Sequence, residues 1–488
     1  MDARARASQE AYYVSEQKIY PREVTGRYAR LRVLAVWVLL GLFYVGPWIT
    51  WNGRQAVLFD LPARKFYIFG LVLWPQDFIF LTALLVIAAL SLFFFTALAG
   101  RLWCGYACPQ TVWTEAFLWM ERLAEGDRLE RIKRDRAPWS VDKLSRKSLK
   151  QLMWVSFALW TGFTFVGYFT PAHVLFARTL TLSLGPWETF WSLFYAFATY
   201  GNAGYLREQV CKYMCPYARF QGAMFDRDTL IITYDGARGE PRGPRRRGTA
   251  LEPGKVGACV DCTWCVQVCP TGIDIRKGLQ YECIACAACI DACDSVMDKV
   301  GYPRGLIRYT TQNALDQRPS RLLRPRVLIY ASLLSVIGLA FIVGLVRREP
   351  VDVDVIRDRN ALYRLLEDGR VENVYNVKII NKSEQGHRFI VSVEGAGNLS
   401  LDPSPARFDV RSGEVFPVAV RVRRPAYEPS GSQDIEFEVT AVDAPELRAH
   451  TRARFIAPAS ERGEDDDDSV EESRVNGDDH APRAGRRR

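Results

Sequence analysis

The 488-residue chain carries 64 Lys and Arg against 55 Asp and Glu, a net charge of +9, with 49% hydrophobic and 12% aromatic residues. A mean hydropathy of only -0.08 at that apolar content requires strongly apolar stretches to alternate with strongly charged ones, the composition of a membrane protein with soluble parts. The basic residues flank the apolar runs and come with no aromatic-basic motif, which excludes nucleic acid as the partner.

Residues 1–32 are polar and lack an apolar core followed by a small-residue cleavage site, so no cleavable signal peptide is expected. Five apolar stretches then approach the ~20 residues that a helix needs to cross a bilayer: 33–51, 78–98, 152–169, 187–206 and 327–346. The fourth is the weakest, because Glu188 and Asn202 fall inside it, although Glu188 stands near its end. A further run, 66–74, is too short to cross and is expected at the interface or as a preface to the second span.

Short-loop charge sets the orientation. Residues 1–32 carry seven Lys or Arg and 101–150 carry eleven, whereas 171–186 carry only Arg178. The N-terminus is therefore expected in the cytoplasm, and five crossings leave 207–326 in the cytoplasm and everything after Val346 outside. This divides the chain into a cytoplasmic segment 1–32, a four-helix membrane domain 33–206, a connector 207–255, a cysteine-rich domain 256–300, a second connector 301–326 and a fifth span 327–346. The stretch 235–255 is rich in Gly, Pro and Arg and reads as a linker. Beyond the last span, 347–458 holds alternating runs at 374–380, 388–393, 415–422, 435–442 and 451–456, the pattern of a small β-sandwich. Residues 459–488 form a charged tail with the composition of a disordered segment.

All 12 cysteines lie between Cys104 and Cys293, on the reducing side of this arrangement or at the cytoplasmic ends of spans, and read as metal ligands rather than as disulfides. Cys259-x2-Cys262-x2-Cys265-x3-Cys269-Pro270 is followed by Cys283-x2-Cys286-x2-Cys289-x3-Cys293. In this bacterial ferredoxin spacing three close cysteines bind one [4Fe-4S] cluster and the fourth ligates the other. The expected sets are Cys259, Cys262, Cys265 and Cys293, and Cys283, Cys286, Cys289 and Cys269. Zinc ribbons do not use this run twice in tandem. Asp294 follows Cys293 where a proline often stands, and its charge would tend to lower the potential of the nearby cluster.

Two further pairs, Cys104-x3-Cys108-Pro109 and Cys211-x3-Cys215-Pro216, close the second and fourth expected spans. A spacing of four places two thiols about one helical turn apart on one face. Both pairs belong at the cytoplasmic membrane surface and could meet as one four-thiolate site for Cu(I), zinc or an iron–sulfur centre. Met214 adds a thioether candidate. A membrane bis-histidine haem is not expected, because His173 is the one histidine of the four within the membrane segment.

The stretches 66–115, 211–226 and 265–294 closely resemble the cytochrome c oxidase accessory protein family, the CcoG, FixG or RdxA-like membrane polyferredoxins associated with cbb3-type oxidases. The resemblance runs from about Tyr28 to Pro458 and implies a five-span polyferredoxin with a periplasmic immunoglobulin-like domain, set in the bacterial inner membrane and acting in oxidase assembly. It further implies cupric reductase activity that yields Cu(I). Thr263 and Trp264 stand where the family has Gly-Gln, which is expected to alter the surroundings of a cluster and not its ligation. The leading expectation is that the two clusters pass electrons to copper at Cys104, Cys108, Cys211 and Cys215, with copper chaperones or oxidase subunits as partners. The alternatives are an electron carrier of a quinol-linked redox system and a non-catalytic assembly scaffold. No Gly-rich nucleotide fingerprint is present, so the sequence does not name the electron donor.

Overall fold

The structure, a computed structural model, describes residues 18–244, 255–359, 361–383, 385–425 and 432–458. The chain divides after Arg347 into two compact units. The expected tail 459–488 lies outside the described residues, as does 245–254 of the expected linker.

In the first unit, α1 (Arg27–Val45) opens the membrane part and ends where Gly46-Pro47-Trp48 tightens into a 3-10 turn. The run 66–74 precedes the second apolar helix, as one of its two expected placements had it, and it does so as strands. It supplies two strands of a three-stranded ribbon, β1 (Val57–Asp60), β2 (Lys65–Ile68) and β3 (Leu71–Leu73), because a two-residue turn at Phe69-Gly70 folds it back on itself. Buried Gln55 fixes this ribbon: its amide donates to the carbonyls of Val57 at 2.7 Å and Gly167 at 2.8 Å, and its oxygen accepts from the Ala172 N–H at 2.9 Å.

The next helices are α2 (Phe78–Ala99), α3 (Pro109–Glu125), α4 (Val141–Val166) and α5 (Pro186–Thr199). Among the described residues, three helices are long and apolar enough to cross a membrane: Arg27–Trp48, Phe78–Ala99 and Pro325–Val346. The third and fourth expected spans depart from that pattern. The stretch 152–169 is the apolar end of the 26-residue α4, whose first turns carry Asp142, Lys143, Arg146, Lys147 and Lys150. The stretch 187–206 is split, since α5 has 14 residues and gives way to a π-helical segment, Tyr200–Leu206. α4 and α5 still pair closely and antiparallel. Phe165 meets Tyr195 with ring centroids 3.7 Å apart, and a side chain at Gly162 would collide with the Ser192 carbonyl, so glycine there lets the backbones touch.

A buried ionic network ties α3 to the segments packed around it. Glu121 lies 2.7 Å from the Arg131 guanidinium and 2.8 Å from that of Arg207, while Glu125 meets Lys150 at 3.0 Å and Lys147 at 3.1 Å. Burial opposes ionisation of Glu121, but Arg207 and Arg131 outweigh it and hold its carboxyl below the usual range.

Further along, β4 (Ile231–Tyr234), α6 (Ala288–Val300), β5 (Ile307–Thr310) and α7 (Pro325–Val346) complete the unit. α7 packs antiparallel to α2, with Phe341 against Phe80 and Tyr330 against Phe93. The described part of the expected linker is ordered against the cysteine-rich domain. The Ala258 N–H donates to the Arg238 carbonyl at 2.9 Å and the Gly243 N–H to the Cys259 carbonyl at 3.1 Å.

The second unit is a two-sheet sandwich of antiparallel strands. β6 (Val351–Arg357), β7 (Val371–Asn381), β9 (Ser400–Asp402) and β11 (Val415–Arg424) form one sheet in the order β9-β11-β7-β6, with Arg364–Leu365 added beside β7. The other sheet is β10-β8-β12-β13, from β8 (His387–Gly395), β10 (Ala406–Val410), β12 (Gln433–Ala441) and β13 (Arg448–Phe455). Alternate residues point inward, so Tyr375, Val377, Ile379, Phe389, Phe437 and Phe455 make a dry core. All five expected strands are present.

Candidate functional site

β4 and β5 pair antiparallel, Ile231 opposite Thr310 and Tyr234 opposite Ile307, and so clamp the two ends of the cysteine-rich segment. Within it the two cysteine runs share one backbone shape. Asp261 and Thr263 in the first run, and Ala285 and Ala287 in the second, are all left-handed, with φ between 54° and 61°. Each run then enters a helix, Trp264–Gln267 in the first and α6 in the second. A Thr at such a φ costs more than a glycine, because its β-carbon is branched. Trp264 is used elsewhere: its ring lies between Arg22 at 4.6 Å and Lys299 at 5.0 Å.

The turns form two small hollows. Cys259, Cys262, Cys265 and Cys293 line the first; Cys269, Cys283, Cys286 and Cys289 line the second, where Cys265 also reaches. The remaining walls are largely aliphatic, with Leu306 and Ile307 on the first and Ile273, Ile275 and Ile284 on the second. Four soft donors around a dry hollow is the donor set of an iron–sulfur cube, so the residues present fit such a group. Burial pushes the thiols of Cys265, Cys283 and Cys293 up to about 12 and that of Cys289 well above its ordinary value. The protein alone keeps these thiols protonated at neutral pH, and a metal has to displace the protons. Asp294 accepts from the Gly305 N–H at 2.9 Å and adds negative charge beside Cys293.

The other two pairs do not lie on continuous helices. α2 stops at Gly100; Cys104 sits in a short helix, Leu102–Tyr106, and Cys108 is the extended residue that caps α3. Likewise Cys211 sits in the π-helical Val210–Met214 and Cys215 caps the helix Pro216–Met224. The cause is Pro109 and Pro216, which force the preceding residue out of helical conformation and start a new helix. The pairs lie within electrostatic reach of one another, Cys104 of Cys108 and Cys211, and Cys108 of Cys215. Burial raises Cys104 to about 12 and Cys211 to about 11. Cys104 Sγ donates to the Gln221 oxygen at 3.4 Å, whereas Met214 is 60% exposed. All twelve cysteines are free. Among the described residues, no three His, Cys, Asp or Glu side chains converge on a single ion.

Four contacts that sequence reasoning missed hold the cysteine-rich domain against the membrane helices. Gly105 packs on the loop between Cys283 and Cys286 so closely that a β-carbon would stand 2.7 Å from the Ala285 carbonyl. Buried Arg101 donates to the carbonyls of Tyr281 and Ala218, and to that of Cys283 at 3.3 Å. Arg32 donates to the Cys286 carbonyl at 2.5 Å. The Asp291 carboxylate accepts the backbone N–H groups of Ala29 at 2.7 Å and Tyr28 at 3.2 Å, capping the positive end of α1. In the sequence, Arg32 and Arg101 counted only as loop charge. Gly105, set between Cys104 and Cys108, was the readable signal.

A ferredoxin-like double-cluster domain, apolar helices long enough to span a bilayer and a β-sandwich together define a membrane iron–sulfur protein. The family profile "4Fe-4S dicluster domain" matches residues 206–312, "4Fe-4S binding domain" matches 80–125, and "IG-like fold at C-terminal of FixG" matches 341–458. The chain is 42% identical to Protein RdxB of Cereibacter sphaeroides over 405 residues, 80% of this chain and 84% of that one. It is 39% identical to nitrogen fixation protein FixG of Rhizobium meliloti over 460 residues, 85% and 87% of the two chains. The crystal structure of a FixG-related protein from Vibrio parahaemolyticus aligns at 32% identity over 22% of this chain and 98% of that one, with a TM-score of 0.21. The chain belongs to the FixG and RdxA-like family.

Proposed function

We propose that the chain passes electrons through two [4Fe-4S] clusters to the thiolates of Cys104, Cys108, Cys211 and Cys215, where Cu(II) is the substrate and leaves as Cu(I) for assembly of a cbb3-type oxidase. The cluster ligands in this reading are Cys259, Cys262, Cys265 and Cys293, and Cys283, Cys286, Cys289 and Cys269. When bound, each such group takes up and gives back one electron. The observation that carries the reading is Gly105, which presses the Cys104 helix onto Ala285, between two ligands of the second cluster. Soft thiolates favour the cuprous product, so the same four side chains would both pull the reduction forward and hold its product. Buried Gln221 and the Thr111 hydroxyl, which donates to the Cys104 carbonyl at 2.5 Å, fix Cys104 in place.

A second reading is favoured by the match of residues 80–125 to a 4Fe-4S binding domain, which includes Cys104 and Cys108. In that reading the four thiolates hold a third cluster. Iron and sulfide counted per chain in anaerobically purified protein separate the two: about eight irons are expected for two cubes and about twelve for three. Stoichiometric zinc without iron or sulfide would overturn both readings.

The five-span arrangement belongs to the same proposal, with α4 and the α5 to π-helix segment crossing the bacterial inner membrane as the antiparallel pair described above. It puts the cluster domain in the cytoplasm and the sandwich in the periplasm, where it would meet copper chaperones or oxidase subunits. A reporter fused after Val346 is expected to behave as exported; activity confined to the cytoplasm would show that the number of crossings is even.

A further inference from the structure

A cavity of about 740 Å³ opens among α1, α3, α4, α5 and the π-helical segment, walled by the rings of Phe43, Trp113, Phe165 and Tyr195. It is an open cleft, and the part a water-sized sphere can occupy, about 310 Å³, lies at the lower end of the range of small-molecule pockets, about 300–1,000 Å³. Thr199 and Asn202, both half-buried, also line it.

Gln110 lines this cavity and also a second one. Its amide donates to the carbonyls of Asn202 at 2.8 Å and Arg207 at 3.1 Å, groups at the two ends of the stretch where the π-helix breaks off. Cys211, Cys286 and Glu115 line the second cavity. The aromatic cavity is thus joined, through one side chain, to a space bounded by a cysteine of the second cluster set and by a membrane-edge cysteine.

We propose that the aromatic cavity binds a membrane-soluble hydroquinone, the electron donor that the sequence does not name. Its planar ring matches the ring-lined walls, and its hydroxyls match the hydroxyl and amide side chains of Thr199 and Asn202. Oxidation breaks both O–H bonds and gives the quinone, two protons and two electrons. The clusters that Cys259, Cys262, Cys265 and Cys293, and Cys269, Cys283, Cys286 and Cys289, would hold would take one electron each, and both protons would pass to water. This inference rests on the electron-transfer reading above.

The test uses the full-length protein, anaerobic in nanodiscs, with a decyl-chain ubiquinol as donor, and reads cluster absorbance together with binding of the oxidised quinone by calorimetric titration. The Ala198→Phe variant fills the cavity, and Asn202→Leu removes a polar partner. Both are expected to weaken quinone binding and slow quinol-driven cluster reduction by about tenfold or more, while dithionite still reduces their clusters fully. If dithionite reduces the parent's clusters but the quinol does not and no quinone binds, the donor inference is wrong and the electron-transfer reading stands. If neither reductant changes the chromophore, the electron-transfer reading falls, and the quinone titration alone decides the cavity. Unchanged binding in both variants would overturn the assignment of the site.

Discussion

Replacing Cys104 and Cys108 together by Ser is expected to abolish copper reduction while leaving iron, sulfide and cluster absorbance at parental levels. Serine is nearly the size of cysteine, so the packing of Gly105 on Ala285 and the bond from Thr111 to the residue-104 carbonyl are kept. What is lost is the soft, ionisable donor, since a hydroxyl is a hard ligand with no preference for Cu(I). The measurement is Cu(I) formation from dithionite-reduced clusters, read on the same sample as the cluster absorbance. A double variant that reduces Cu(II) as fast as the parent removes copper from these four thiols. Loss of about four irons in the same variant would instead favour the third-cluster reading.

The second large effect concerns Glu121. Truncating it to Ala leaves Arg131 and Arg207 buried without their shared carboxylate, a change that costs about 3–5 kcal/mol in comparable buried pairs. Glu121→Ala should therefore unfold well below the parent in detergent, monitored by tryptophan fluorescence; Trp154, with the Arg207 guanidinium 5.4 Å from its ring, reports from the spot. The pH dependence has a definite sign. The folded carboxyl titrates below its ordinary range, so the stability it contributes is complete above that range and is lost as pH falls through the folded value. Parent and variant should accordingly converge in acid and differ fully at neutral pH. Equal unfolding temperatures at neutral pH would show that the network adds no stability.

Much of this molecule was legible because its strongest signals are local. The cysteine runs fix four donors per cavity by spacing alone, and the structure lines the two hollows with the expected sets, to which Cys265 adds a shared wall. Runs of β-branched residues announced five of the sandwich strands. Shorter or more charged strands escaped: β9 has three residues and β10 five, and β6 alternates Val with Asp directly after a membrane helix. Helix breaks at Cys108 and Cys215 were readable in principle from Pro109 and Pro216, yet the four-residue spacing drew attention to a helical face instead. Least legible were contacts between distant segments. Nothing in the sequence says that Asp291 caps α1 or that Arg101 bridges the Tyr281 and Ala218 carbonyls, since each depends on how separate elements meet in space.

The pairing of β4 with β5 bears on how such a protein can change over time. The chain leaves for the cysteine-rich segment and returns from it at neighbouring points, Tyr234 opposite Ile307, so the cysteine-rich domain at 255–306 behaves as a cassette plugged into a socket. An exchanged or duplicated cassette would leave the course of the membrane helices undisturbed. It would need to re-match the clasps on either side, among them Gly105, Arg32, Arg101, the carboxylate at 291 and the Arg22–Trp264 contact. Altered redox machinery can in this way be acquired by grafting, with the transmembrane scaffold inherited unchanged.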